Sequence, residues 1–319
     1  PLGCAERPAC GFARPQKLAA LALLEAHSGE RSRPIVQVQQ GCGRACSFCV
    51  IPQVRGASRS RPLGEVLAEM AACAARGHAE VVCSGINLGQ WGADLGPGLH
   101  LADMVRATLE QTALPRLRLS SVEPADWSHE LTELMASSGT RLARHAHLPL
   151  QSGSDAVLRR MHRRYRASDY AATVEDLAAR VPGVAIGADV MAGFPGESER
   201  EFGETMTLLE RLPLAYLHVF PFSPRPGTEA AERLATDAWR AVPAAETRAR
   251  VGALRKLGEA KRAAFLDTLV GTSLSAVTLS GGEALSDNYA RVRIAPGTAP
   301  GALISVQART RQGEVLLTA

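Results

Sequence analysis

The stretch "QGCGRACSFCVIPQVRG", residues 40–56, sets Cys42, Cys46 and Cys49 within eight positions, with Gly41 and Gly43 beside the first thiol and Phe48 directly before the last. It follows "IVQVQ" (35–39), a short β-branched run of strand type, so the three thiols occupy a loop at that strand's carboxyl end. Four further cysteines stand at 4, 10, 73 and 83. Cys73 falls on the apolar face of the helical stretch "PLGEVLAEMAACAARG" (62–77), opened by Pro62 and closed by Gly77, and Cys83 falls in the strand-type run "EVVCSG" (80–85). Both read as buried small apolar side chains. A structural zinc site closes its shell with four protein ligands. Three thiolates can instead hold an iron–sulfur cluster with one iron left open to a small molecule. At this point both readings stand.

Working outward, five more strand-type runs recur with helical stretches between them: "EVVCSG" (80–85), "RLRLSS" (116–121), "HAHLPL" (145–150), "VAIGADVM" (184–191) and "AYLHVF" (215–220). Alternation of strand and helix over about 230 residues implies a parallel sheet flanked by helices, as a full or partial β/α barrel or a doubly wound sheet. Each run leads into a polar, Gly-rich or Cys-rich loop, including "SGINLGQ", "SSVEP", "QSGSD", "AGFPGE" and "PFSPRPGT". In β/α folds the carboxyl ends of the strands carry the chemistry, so these loops are expected to converge on one rim. Residues 240–267, rich in Ala, Arg and Leu, read as one long helix. Beyond it, "LVGTSLSAVTL", "NYARVRI", "ALISVQAR" and "EVLLTA" have the spacing of a small all-β barrel. The expected division is 1–34 as a remnant or linker with a short helix "KLAALALLEAH", 35–267 as the α/β body, and 268–319 as the β module.

With 46% apolar and 21% charged residues the chain is that of a globular protein, and no run approaches the roughly 18 apolar residues of a membrane span. The first residues do not have the pattern of a secretory signal, and seven cysteines are an odd number for a disulfide framework, so a reducing, cytoplasmic setting is expected. A net charge of +4 permits a polyanionic partner without requiring one.

C-x3-C-x2-C with an aromatic before the last cysteine, in the loop after the first strand of a β/α array, resembles the radical S-adenosylmethionine (SAM) superfamily. The fold that this implies is a partial (β/α)6 barrel. The implied cofactors are a four-iron four-sulfur cluster on Cys42, Cys46 and Cys49, with SAM on the open iron. "CxFCVIPxxRGxxRSRP", "GINLG", "SSVEP", "HLPLQSGSDxVLRRMHRRY", "DVMAGFPGE" and "HVFPFSPRPGT" together resemble the tRNA methylthiotransferases over residues 35 to about 267. The last 50 residues, notably "SDNYARVRI", resemble that family's TRAM domain. "SSVEP" with "HVFPFSPRPGT" is most similar to the branch that methylthiolates N6-threonylcarbamoyladenosine beside the anticodon. The resemblance also implies a low-potential electron donor such as flavodoxin or ferredoxin. It implies a preceding α/β domain with three more cysteines, so an auxiliary iron–sulfur cluster is expected only where such a domain is supplied.

The resemblance and the residues together nominate a site. Glu123, assisted by Ser121, is placed to accept hydrogen bonds from ribose hydroxyls. Gly85 and Asn87 of "GINLG" offer amides to an amino-acid group, and Phe48, Gln151, Asp189 and Gly193 are expected near the bound ligand. "RRMHRRYR" carries five arginines, Arg159, Arg160, Arg163, Arg164 and Arg166, as an RNA-contacting stretch. Arg163 and Arg164 are expected to meet the tRNA anticodon loop, with Asn288 and Tyr289 from the β module, and Arg55, Arg59 and Arg61 to meet a substrate phosphate or the SAM carboxylate. His145 and His147 alternate along one strand, the way metal-dependent hydrolases present two ligands, but no carboxylate partner is evident in the matching loops. They are expected to pack toward the barrel interior or the substrate pocket.

Overall fold

A computed structural model describes residues 32–318. The expected helix within 1–34, together with Cys4 and Cys10, lies outside the described residues. All six expected strands form: β1 Ile35–Gln40, β3 Val81–Gly85, β4 Leu117–Leu119, β5 His145–His147, β6 Ala185–Ala192 and β7 Tyr216–Pro221. A two-residue strand that the sequence did not signal, β2 Arg59–Ser60, pairs antiparallel with β1. The helices are α1 Ile51–Arg55, α2 Leu63–Ala75, α3 Leu101–Gln111, α4 His129–Ser137, α5 Asp155–Arg160, α6 Ala167–Arg180, α7 Glu199–Arg211, α8 Glu229–Ala235 and α9 Ala244–Leu269.

The parallel strands fall into two groups, β1–β3–β4 and β5–β6–β7. A bridge from Leu117 to Leu142 and a Val122 N–H donated to the His147 carbonyl at 3.0 Å join them into one arc. Among the described residues no ladder joins β7 to β1 or β2, so the arc is a partial barrel with an open side. Helices cover its outer face with the stripes that periodicity requires; in α2 the buried side chains are Val66, Met70 and Cys73. The entry of α7 is fixed by a capping box, Ser198 with Glu201. The arginine-rich stretch is not one helix. The α5 helix ends at Arg160, His162 takes a left-handed conformation (φ 57°), and α6 starts at Ala167. Its arginines consequently point in different directions.

The remaining strands, β8 Ser273–Thr278, β9 Glu283–Ser286, β10 Arg291–Arg293, β11 Leu303–Gln307, β12 Thr310–Gln312 and β13 Val315–Leu317, form a six-stranded sheet in the order β11-β8-β9-β10-β13-β12. Its edges are successive parts of one bent stretch divided at Ala308 and Arg309, so the sheet curls back on itself. Leu274, Ala276, Val292 and Leu316 form its core with Leu266 and Leu269 of α9. The loop Asp287–Tyr289 docks at the amino ends of β4, β5 and β6. There Arg118 donates to the Ser286 and Asp287 carbonyls at 2.9 and 3.1 Å, Arg144 pairs with Asp287 at 2.6 Å, and the Asn288 amide donates to Gly183 at 3.1 Å.

Inside the arc, Gly187 of β6 lies against Tyr216 of β7, whose hydroxyl is 2.8 Å from His145 Nε2. A Cβ at position 187 would fall 2.0 Å from the tyrosine ring. Gly187→Ala is therefore expected to lower the urea stability by about 1–3 kcal/mol through overpacking, read from the denaturation midpoint. An unmoved midpoint contradicts this packing.

Candidate active site

The cysteine loop is shaped by bonds to four separate segments. Cys42 N–H donates to the Gly56 carbonyl at 3.1 Å, Ser47 N–H to Met161, and the Ser47 carbonyl accepts from Ala230 N–H at 2.8 Å. Gly43 N–H donates to Gln90 Oε1 at 3.0 Å. Gly41 adopts φ 71°, and a Cβ there would lie 2.1 Å from the Ala57 carbonyl oxygen, so only glycine lets the loop turn this tightly. All three thiols are half-buried at the carboxyl edge of β1.

Donors surround the sulfurs. Arg163 Nη1 lies 3.4 Å from Cys46 Sγ, Asn87 Nδ2 is 3.6 Å from Cys42 Sγ, and the Arg44 N–H is 3.4 Å from the same sulfur. Burial pushes the thiols of Cys46 and Cys49 above their ordinary pKa, countered at Cys46 by the Arg163 guanidinium. Thiolate ligation here thus depends on a cation taking the proton's place. Asn87 is positioned by Gln39, whose Oε1 accepts the Asn87 N–H at 2.9 Å and whose Nε2 donates to the Gly41 carbonyl and Ser58 Oγ, both at 2.8 Å. Gly85 must be small there, since a Cβ would lie 2.9 Å from Gln39 Oε1.

The same rim gathers the other nominated residues. Glu123 pairs with Arg163, and Ser121 Oγ lies 2.5 Å from His147 Nδ1. Gln151 takes φ 68° and extends the β5–β6 pairing by exchanging bonds with Asp189 and Met191. Asp189 lies 2.9 Å from His147 Nε2 and 3.3 Å from His218 Nδ1. Burial alone would raise the Asp189 carboxyl, but these two imidazoles outweigh it and hold it at about 2. Phe48 packs edge-on against Phe194. The Gly193 N–H donates to Glu197 at 2.8 Å, and a Cβ there would strike Thr247 of α9 at 2.5 Å.

Four of the side chains expected at RNA have partners within the protein. Arg163 turns inward onto Cys46 and Glu123 with 5% of its side chain exposed, because the chain reverses at His162. Arg61 is held by Glu69 at 2.5 Å and by the Gln37 carbonyl. Asn288 is fully buried between Ser286 and Gly183, and Tyr289 stacks on His145 with centroids 4.2 Å apart. Asn288 is thus enclosed, whereas Arg61, Arg163 and Tyr289 are half-buried with these partners. Arg55 and Arg164 are exposed, and Arg164 lines a surface recess with Arg159 and Arg166. The sequence reading missed Gln39, Gln90 and His218 as part of this edge. The one signal for His218 was a polar residue on the face of "AYLHVF" that Tyr216 shares.

An open α/β arc with three thiols on the loop after its first strand, encircled by N–H donors and with the remaining described cysteines in the core, defines an enzyme that works through a metal cluster at the barrel rim. The sequence matches the Radical SAM superfamily over residues 36–209, and the chain belongs to that superfamily. Its cofactors are a four-iron four-sulfur cluster and SAM. The donor set fits: Cys42, Cys46 and Cys49 supply three thiolates, while Cys73 and Cys83 are buried in the core, where burial holds the Cys83 thiol far above its usual pKa.

Relatives extend the likeness. The chain is 35% identical over 264 residues to the threonylcarbamoyladenosine tRNA methylthiotransferase of Aquifex aeolicus, covering 83% of this chain and 62% of that one. It is 36% identical over 310 residues to the enzyme of the same name from Treponema pallidum, covering 96% of this chain and 62% of that one. It is 40% identical over 197 residues to the tRNA-2-methylthio-N(6)-dimethylallyladenosine synthase of Parafrankia sp., covering 62% and 40%. The chain thus spans less than two thirds of the length of these relatives. In fold it is similar to the radical SAM methyltransferase TsrM of Kitasatospora setae, with a TM-score of 0.54 and 19% identity over 64% of this chain and 39% of that one.

Proposed function

We propose that the chain is the catalytic part of a tRNA methylthiotransferase acting on N6-threonylcarbamoyladenosine next to the anticodon. The observation that carries this reading is the 36% identity to a threonylcarbamoyladenosine tRNA methylthiotransferase along 96% of the chain, coinciding with a three-thiol rim site in the fold. In this reading residues 35–267 form the catalytic domain and 268–319 a TRAM-like RNA-binding module. The setting is the cytoplasm, with a flavodoxin or ferredoxin as electron source. Among the described residues no helix is long and apolar enough to cross a membrane.

Cys42, Cys46 and Cys49 would hold the cluster, which when bound would supply the electron for reductive cleavage of SAM. The chain's own residues orient the parts. Asn87 and Arg163 donate toward the sulfurs, Glu123 presents a carboxylate whose charge Arg163 balances, and the open side of the arc admits a nucleoside. Any auxiliary cluster for sulfur insertion would be held by cysteines other than the rim three. The test is mass spectrometry of tRNA nucleosides after reaction of the reconstituted full chain with SAM, reductant and tRNA bearing threonylcarbamoyladenosine. The expected product is the methylthio derivative. Deoxyadenosine formation with a tRNA product lacking sulfur would instead support a radical SAM enzyme that modifies RNA without sulfur insertion.

Binding to RNA falls to the exposed arginines. Arg164→Ala with Arg166→Ala is expected to weaken tRNA binding and to reduce the slope of log affinity against log salt by about 0.7 for each phosphate that is no longer neutralised. Titrations at several salt concentrations measure this, and an unchanged slope removes the recess from the interface.

A further inference from the structure

Within the arc, three neighbouring strands each bring one side chain to a common point. His147 ends β5, Asp189 lies in β6 and His218 in β7, with Asp189 and His218 directly paired in register. One ligand atom from each of the three lies within 4.8 Å of the others. The spacings of 2.9 Å from His147 Nε2 to Asp189 Oδ1 and 3.3 Å from His218 Nδ1 to the same oxygen are short enough for hydrogen bonds. The directions are not: His147 Nε2 and Asp189 Oδ1 are buried without an aligned hydrogen bond. Adjacent ligands around an ion with bonds of about 2.1 Å stand roughly 3.0–3.4 Å apart, close to the two separations measured from Asp189 Oδ1.

The surroundings are those of a built ligand set. Ser121 Oγ, 2.5 Å from His147 Nδ1, fixes that ring and leaves Nε2 turned to the common point. His218 is 49% exposed and borders a cavity of about 580 Å³ shared with Tyr216, Arg262 and Tyr289. Two imidazoles and one carboxylate with open positions suit zinc or ferrous iron better than magnesium or calcium.

We propose that His147, Asp189 and His218 form a mononuclear site for a divalent first-row transition metal ion, separate from the cysteine-held cluster and open to that cavity. The test uses the full chain carrying Cys42→Ala, Cys46→Ala and Cys49→Ala, stripped with chelator and titrated with zinc, then with cobalt as a spectroscopic probe. One equivalent of zinc is expected to survive desalting, and the cobalt spectrum is expected to lack thiolate charge-transfer bands. Adding His218→Ala, at a half-exposed position, or the near-isosteric Asp189→Asn should abolish retention with the circular dichroism unchanged, and Ser121→Ala should lower affinity by about 10–100-fold. No retained zinc, retention that survives both His218→Ala and Asp189→Asn, or a cobalt spectrum with thiolate bands would overturn the site.

Discussion

Replacing Glu80 by Gln is expected to destabilise the protein by about 3–5 kcal/mol, the range for removing one partner of a buried ionic cluster. Glu80 is fully buried and receives Arg118 Nε at 2.7 Å and Nη2 at 3.0 Å, Arg33 at 3.1 Å and Arg116 at 3.5 Å. Arg116 and Arg118 are themselves buried, and they continue into the β module through Ser275 Oγ and the Ser286 and Asp287 carbonyls. Neutralising Glu80 leaves two guanidiniums in the interior with only partial compensation, at the seam where β8–β13 dock. Burial pulls the Glu80 carboxyl up, but Arg118, Arg33 and Arg116 together hold it below its ordinary value. A depressed carboxylate stabilises the fold above its unfolded pKa, about 4.3, and that contribution fades as pH falls through the folded value. Urea unfolding at pH 7 and at successively lower pH measures both effects. The deficit of Glu80→Gln should be full at pH 7 and shrink in acid, whereas a deficit under about 1 kcal/mol at pH 7 contradicts the cluster's role.

The second large effect belongs to Arg163→Met, which keeps the volume of the side chain and removes its donors from Cys46 and Glu123. Outer-shell partners of metal ligands commonly contribute about 10–100-fold to affinity or activity, and a loss of that size is expected in SAM cleavage. A guanidinium beside a thiolate ligand favours the reduced cluster, so the midpoint potential should also fall. Binding of tRNA should keep its salt slope. Spectroelectrochemical titration, deoxyadenosine assays and salt-dependent binding distinguish the outcomes. An unchanged potential and cleavage rate with a flattened slope would return Arg163 to the RNA interface.

The parallel strands and the rim were legible because each strand is a short apolar run ending in a loop of distinctive composition, and "GCGRACSFC" sets three thiols in one of those loops. Side-chain direction was less accessible. Arg163 and Arg164 are adjacent in a run of arginines, and only the left-handed turn at His162 sends one to the cluster loop and leaves the other in solvent. Arg116 and Arg118 were read as part of an apolar strand, since nothing within "RLRLSS" reveals that Glu80 and a loop some 170 residues away would satisfy them. The partner of His147 was likewise hidden. Sequence alternation pairs it with His145, while the parallel pairing of β5, β6 and β7 sets it beside Asp189 and His218. In "SDNYARVRI" the residues most suggestive of RNA contact fill the seam between the two sheets.

The most direct measurement is of 5′-deoxyadenosine released when the full chain, reconstituted anaerobically with iron and sulfide, is reduced by dithionite in the presence of SAM. The wild-type chain should turn brown and form it, and Cys46→Ala should form none. A colourless protein with zinc on Cys42, Cys46 and Cys49 and no deoxyadenosine would contradict the account.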